Sequence, residues 1–160
     1  RTLTRELKAF VGGAEPSDDL TMLAIDWYGQ PTVRKQSFRC SDEALGPAVA
    51  FIRSALDGVE KRQMAAILNA SDEITSNIVG YSGSTDFEIS VERSPDRVRL
   101  VFSDAGIAYN PLTHVDPDTH APIEDRPIGG LGLVMVKRLV DSVVYSRVGG
   151  RNVLTLVKRV

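Results

Sequence analysis

The longest helical pattern in this chain, from Val59 to about Tyr81, constrains everything around it. Met64, Ile67, Leu68, Ser71, Ile74 and Ile78 recur at three- and four-residue spacing and trace one inward face. A helix that is apolar on one side only needs a surface to cover that side. The flanking segments alternate between strand and helix signals. Val33 to Cys40 alternates loosely and predicts a strand. Ser41-Asp42-Glu43 then predicts an N-cap with an acidic first turn, and a helix to about Leu56 with Leu45, Val49, Ile52 and Leu56 on one stripe, closed by Gly58. Phe87 to Arg93 and Arg97 to Ser103 favour strand, with Ser94-Pro95-Asp96 as the hairpin turn. Val143 to Val148 and Val153 to Val160 close the chain as two strands around Gly149-Gly150.

Two further stretches frame this pattern. Residues 1 to 13 carry Leu3, Leu7, Phe10 and Val11 at roughly helical spacing and stop at Gly12-Gly13. Leu20 to Trp27 reads as a buried strand, and Tyr28 to Pro31 as a turn or linker. The one domain boundary falls there, giving residues 1–30 and 31–160. Left unpaired, the strand at Leu20 to Trp27 would expose apolar surface, so it is expected to pack on this domain or on another copy. Leu112 to Gly129 is long for a connection and rich in Pro, Asp and His, which predicts a mobile lid.

Composition narrows the function classes. The 160 residues carry a formal charge of −2 with Lys and Arg scattered, so nothing draws nucleic acid or an anionic membrane. No apolar run approaches the ~20 residues a membrane helix needs, and no signal peptide is visible. The single cysteine, Cys40, excludes an internal disulfide and points to a reducing, cytoplasmic setting. Cys40 has no nearby His to make it a nucleophile. The chain begins at Arg1 rather than Met, the pattern of a piece of something longer.

Three constellations carry chemistry. Gly129-Gly130-Leu131-Gly132-Leu133 runs into a helix on which Leu133, Val136, Leu139 and Val140 share a face. Glycines there let backbone approach a ligand, and the free N–H groups of a helix start favour an anion such as phosphate. A tight turn before an amphipathic helix is the plain alternative. Glu73 and Asn77, four apart on the long helix, point the same way at the edge of its buried face. The carboxylate can activate a hydroxyl or water, and the amide oxygen can hold Mg²⁺; a solvated polar face is the alternative. Asp104-Ala105-Gly106-Ile107-Ala108-Tyr109-Asn110-Pro111 follows a hydrophobic strand. The carboxylate can accept from an exocyclic amine and Gly106 leaves room for a flat ring, or the stretch is two successive turns. A Rossmann reading fails, because the Gly-x-Gly-x-x-Gly order and a leading strand are both missing. His114, His120, Asp116 and Asp118 fit no zinc spacing and read as solvated lid.

In this order and spacing, Glu73-x-x-x-Asn77, Asp104-x-Gly106-x-x-Tyr109-Asn110-Pro111 and Gly129-Gly130-Leu131-Gly132-Leu133 resemble the asparagine box and the two glycine boxes of the GHKL ATPase superfamily. The nearest branch is the RsbW-like anti-sigma-factor serine kinases, which the ending Asp141 to Arg159 also resembles. The resemblance covers roughly Val33 to Val160. It implies an α/β (α+β) two-layer sandwich, the Bergerat ATP-binding fold, with a mixed, mostly antiparallel sheet covered by helices on one face. It implies ATP and Mg²⁺ as cofactors, Glu73 as general base, Asn77 as Mg²⁺ ligand, and Asp104 with Gly106 as the adenine reader. Gly129, Gly130, Leu131, Gly132 and Leu133 would meet phosphate, Tyr109 would line the nucleotide, and Arg126 would contact phosphate or a partner. Thr155 or Asn152 would supply a last-strand polar contact to adenine. Many family members carry His four residues after the box asparagine; here that residue is Tyr81.

The resemblance further implies a protein serine kinase acting on a STAS-domain anti-anti-sigma factor, with a sigma factor as a second partner and a homodimer left open. The alternative is a non-catalytic ATP-binding module that sequesters a partner or controls a fused phosphatase; a pure ATPase is a third reading. Finally, Pro16-Ser17-Asp18-Asp19-Leu20-Thr21-Met22-Leu23-Ala24-Ile25 resembles the last motif of metal-dependent serine phosphatases. Asp18 would be a metal ligand of that incomplete site, and a plain helix-to-strand turn is the alternative.

Overall fold

The computed structural model describes residues 31–113 and 131–160. In chain order these form β1 (Thr32–Arg39), α1 (Leu45–Ser54), α2 (Lys61–Tyr81), β2 (Asp86–Ser94), β3 (Arg97–Asp104), α3 (Leu131–Leu139), β4 (Ser142–Val148) and β5 (Arg151–Arg159). Single 3₁₀ turns cover Asp42–Ala44 and Pro111–Thr113. The expected helix before Gly12, the strand at Leu20 to Trp27, most of the expected lid, and Asp18, Arg126, Gly129 and Gly130 lie outside the described residues.

Among the described residues the strands form one sheet in the order β1-β2-β3-β5-β4, and each neighbouring pair is antiparallel. Strict alternation decides which face is buried. Ile89, Phe102 and Leu154 lie in one cross-strand row and Val91, Leu100 and Leu156 in the next. All six are buried, against Ile52, Ile67, Ile74 and Val136 of the three helices. The opposite face carries the exposed Val33 and Val144 among charged residues. The two-layer sandwich implied by the resemblance is thus present, with helices on one face. Gly149 and Gly150 take φ of 57° and 79°, the two left-handed residues that a two-residue hairpin loop between β4 and β5 requires.

The helix after β1 departs from its expected start. Ser41 makes no side-chain cap; its carbonyl accepts from the Ala44 N–H at 2.9 Å and opens the 3₁₀ turn. The α-helix begins only at Leu45 because Pro47 has no N–H to donate to Glu43, so its place is in a first turn. The buried stripe turns accordingly to Ala48, Phe51 and Ile52, with Leu45 half-buried. The long helix begins at Lys61, capped by the Glu60 carboxylate, which accepts from the Gln63 N–H at 3.4 Å. Buried Ser71 and Thr75 cause no polar deficit inside it. Their hydroxyls donate to the carbonyls of Ile67 and Ser71, each at 2.7 Å.

Candidate nucleotide site

The site residues gather at the C-terminal half of α2. Ile74, Thr75 and Ile78 anchor that half in the core, which leaves Glu73 and Asn77 half-buried at its edge. The Asn77 Nδ2 donates to Glu73 Oε1 at 3.0 Å. The carboxylate is thereby held in one orientation, and the Asn77 Oδ1 remains an available oxygen donor. Gly132, in the first turn of α3, lies directly against this carboxylate: a Cβ built there would overlap the Glu73 Oε1 and Cδ atoms. The sequence places Glu73 and Gly132 fifty-nine positions apart; the packing of α3 on α2 makes them neighbours.

The loop after β3 is fastened to the same end of α2. The Ile107 N–H donates to the Ser82 carbonyl at 2.9 Å, one residue beyond the helix. A Cβ on Gly106 would overlap that carbonyl, so only glycine lets the loop close this far. Asp104 ends β3 and is 5% exposed. Its Oδ1 accepts from the Gly106 N–H at 2.8 Å and from Asn152 Nδ2 at 3.0 Å. Both bonds fall on one oxygen, so Oδ2 retains its acceptor capacity.

Asn152 and Thr155 part company here. Asn152 pairs directly with Asp104 across β3 and β5 and faces the helices. Thr155 pairs with Val101 and Val144, on the opposite face. Of these two, Asn152 is the one that stands beside Asp104; odd and even positions of one strand cannot share a face. The Leu133 side chain is buried in the core cluster with Val136. Leu131 opens α3. The Tyr109 N–H donates to Asn152 Oδ1 at 3.3 Å, while its side chain is half-exposed. Tyr81, the last residue of α2, is exposed.

Two residues that sequence reading passed over complete the cluster. Tyr145 Oη and Arg147 Nη1 donate to Asn152 Oδ1 at 2.9 and 2.7 Å. The signal for Arg147 was present: a two-residue Gly149-Gly150 turn aligns Val148 with Arg151 and Arg147 with Asn152. Cys40 is a third unforeseen neighbour. Burial pushes its thiol above the ordinary range, a hydrogen bond with the Ser82 side chain pulls it back, and the charges of Asp104 and Asp86 push it up again.

The residues present fit a purine nucleotide with a hard cation. A buried carboxylate keeps one oxygen for an amine. Two glycines, Gly106 and Gly132, stand where a Cβ would overlap the Ser82 carbonyl and the Glu73 carboxylate. An amide oxygen stands beside a carboxylate at a helix N-terminus, where developing or fixed negative charge is favoured.

The family described as the histidine kinase-like ATPase domain matches residues 38–158. This chain belongs to that family. It is 31% identical over 119 residues to serine-protein kinase RsbW from Bacillus mycoides, a match covering 66% of this chain and 74% of the relative. It is 28% identical over 90 residues to serine/threonine-protein kinase BtrW from Bordetella bronchiseptica, covering 54% of this chain and 63% of that relative. The crystal structure of the RsbU and RsbW domains of Rv1364c from Mycobacterium tuberculosis shares the fold, with a TM-score of 0.58 at 20% identity. That match covers 80% of this chain and 32% of the solved one. Among the described residues, no helix is long and apolar enough to cross a membrane.

Proposed function

We propose that residues 31–160 form an ATP- and Mg²⁺-dependent protein serine kinase of the partner-switching kind. Its substrate would be a serine on a STAS-domain antagonist, with a sigma factor as the alternative partner. The observation that carries this reading is the Glu73 carboxylate, oriented by Asn77 and pressed against Gly132 at the start of α3. Nucleotide binding alone has no use for a carboxylate fixed beside a phosphate-binding helix start; proton removal from an attacking hydroxyl does. The names of the relatives, serine-protein kinase RsbW and serine/threonine-protein kinase BtrW, support the same activity.

In this reading Asp104 Oδ2 would accept from the purine amine, while the Gly106 N–H holds Oδ1. Asn77 Oδ1 would hold Mg²⁺, and the Gly130-Leu131-Gly132 stretch that opens α3 would supply backbone N–H groups to phosphate. When bound, Mg²⁺ and ATP supply the phosphoryl group and neutralise its charge. Glu73 receives the proton of the serine hydroxyl as its oxygen becomes the nucleophile. For residues 1–30 we propose the tail of a phosphatase-like domain in a longer parent chain. The solved relative, whose chain carries an RsbU domain beside its RsbW domain, supports a two-domain parent.

Calorimetry with ATP, with and without Mg²⁺, tests the site on wild type, Asn77→Ala and Glu73→Ala. The expected result is Mg²⁺-dependent binding that weakens in Asn77→Ala and survives in Glu73→Ala. Transfer of labelled phosphate to a STAS-domain protein should be lost in Glu73→Ala. Binding without transfer by wild type would overturn the kinase in favour of a binding module, and no binding would overturn the nucleotide site.

A further inference from the structure

Three strands bring Asp104, Asn152 and Arg147 into a single cross-strand row, Asp104 opposite Asn152 and Asn152 opposite Arg147. A carboxylate and a guanidinium thus stand on either side of one amide. The amide spends all its hydrogen-bonding capacity between them. Asn152 Nδ2 donates to Asp104 Oδ1 at 3.0 Å and to the Ile107 carbonyl at 2.9 Å. Asn152 Oδ1 accepts from Arg147 Nη1 at 2.7 Å, Tyr145 Oη at 2.9 Å and the Tyr109 N–H at 3.3 Å. Arg147 Nη1 also donates to the Gly106 carbonyl at 3.1 Å. The two residues that donate to Asp104 Oδ1, Gly106 and Asn152, are therefore the two whose oxygens Arg147 holds.

We propose that Arg147, assisted by Tyr145, is a positioning residue that fixes the purine-reading carboxylate of Asp104 through Asn152 and Gly106, and so sets the preference for a 6-amino over a 6-oxo purine. The proposal rests on the reading of Asp104 as the purine contact. An asparagine amide is nearly symmetric in shape, so sterics alone do not choose between its two orientations. Chemistry chooses. Turned over, Oδ1 would face the Asp104 oxygen and the Ile107 carbonyl, acceptor against acceptor, while Nδ2 would face a guanidinium that has only donors. Tyrosine can donate or accept and tolerates either orientation; arginine tolerates one. Arg147 therefore enforces the direction of the amide, and Tyr145 reinforces it.

A fixed amide fixes the carboxylate. With Oδ1 gripped by two N–H donors, Oδ2 is presented to the ligand as an acceptor in one place. A 6-amino purine meets it with an N–H, and a 6-oxo purine meets it with a second acceptor. Hydrogen bonds aligned between opposite charges polarise one another, so the row is stiffer than its separate members. Releasing Arg147 lets the amide and the Asp104 carboxylate reorient, and discrimination is lost before affinity for phosphates is.

The test is calorimetric affinity for Mg²⁺-ATP and Mg²⁺-inosine triphosphate on wild type, Arg147→Met, Arg147→Lys and Tyr145→Phe, each checked for an unchanged circular dichroism spectrum. Wild type should prefer ATP by about tenfold or more. Arg147→Met should narrow that ratio at least about threefold, chiefly by weakening ATP, with Tyr145→Phe narrowing it less. Arg147→Lys, which keeps a donor-only cation but not the planar fork, should fall between wild type and Arg147→Met. Equal weakening of both nucleotides in Arg147→Met, or an unchanged ratio, would reduce Arg147 to a structural role and overturn the proposal. Wild type that binds both nucleotides without preference would overturn it while leaving the nucleotide site standing. Wild type that binds neither would overturn the reading of Asp104 and this proposal with it.

Discussion

The Glu73 carboxylate fills the space that a side chain on Gly132 would need. The glycine of the α3 first turn thus serves the neighbouring helix as much as its own loop. Its missing side chain is what allows the proposed base to stand beside the proposed phosphate-binding N–H groups.

Gly132→Ala should separate stability from catalysis. The overlapping atoms belong to the end of a flexible side chain, which can swing away. Alanine also gains about 1 kcal/mol of helix propensity over glycine. The melting temperature should therefore stay near that of wild type. Phosphoryl transfer should fall about tenfold or more, because the carboxylate has left its position. In a Glu73→Ala background the same substitution should add no further loss. Parallel melting curves and transfer assays check this, and a Gly132→Ala protein of full activity would show that the position of Glu73 is not used.

Gly106→Ala should behave in the opposite way. Its Cβ would overlap the Ser82 carbonyl, which belongs to the backbone just beyond α2 and cannot swing aside. Relief requires breaking the Ile107-to-Ser82 hydrogen bond and lifting the loop. Overpacking and a lost bond together should cost about 2–3 kcal/mol. In urea unfolding the midpoint should drop with little change in slope. ATP affinity should drop as well, since the Gly106 N–H is one of the two donors holding Asp104.

Which parts of this were legible in the sequence follows from the range over which each feature acts. β2, β3 and α2 were readable because one buried face imprints a period on a continuous run, and Ile89, Leu100 and Ile74 keep it. The 3₁₀ start before α1 was not, because the Pro47 signal competes locally with a good Ser41 cap. Thr155 and Asn152 could not be separated until the register of β5 was known, since a shift of one residue exchanges the faces. The grip of Arg147 on Asn152 spans two strands and needed the hairpin turn to be aligned first. The contact between Glu73 and Gly132 has no trace in either local stretch.

Cys40 offers a reporter of the purine end of the site. Burial raises its thiol above the ordinary range; the Ser82 hydrogen bond opposes this, and the negative charges of Asp104 and Asp86 add to it. Less thiolate is present at a given pH, so alkylation by iodoacetamide at pH 8 should be slower than for a free thiol and should climb steeply above about pH 8.5. Asp104→Asn removes one upward push and should speed alkylation at fixed pH, whereas Glu73→Gln, with no such influence on Cys40, should not. The stability consequence has a definite sign. The folded chain keeps this proton to higher pH than the unfolded chain, so the stability the thiol contributes is whole below the unfolded thiol pKa. It is lost as pH rises through the folded value. Urea midpoints should decline above about pH 8.5 by more in wild type than in Cys40→Ala. Equal declines, or alkylation in Asp104→Asn no faster than in wild type, would show that the thiol does not sense this carboxylate.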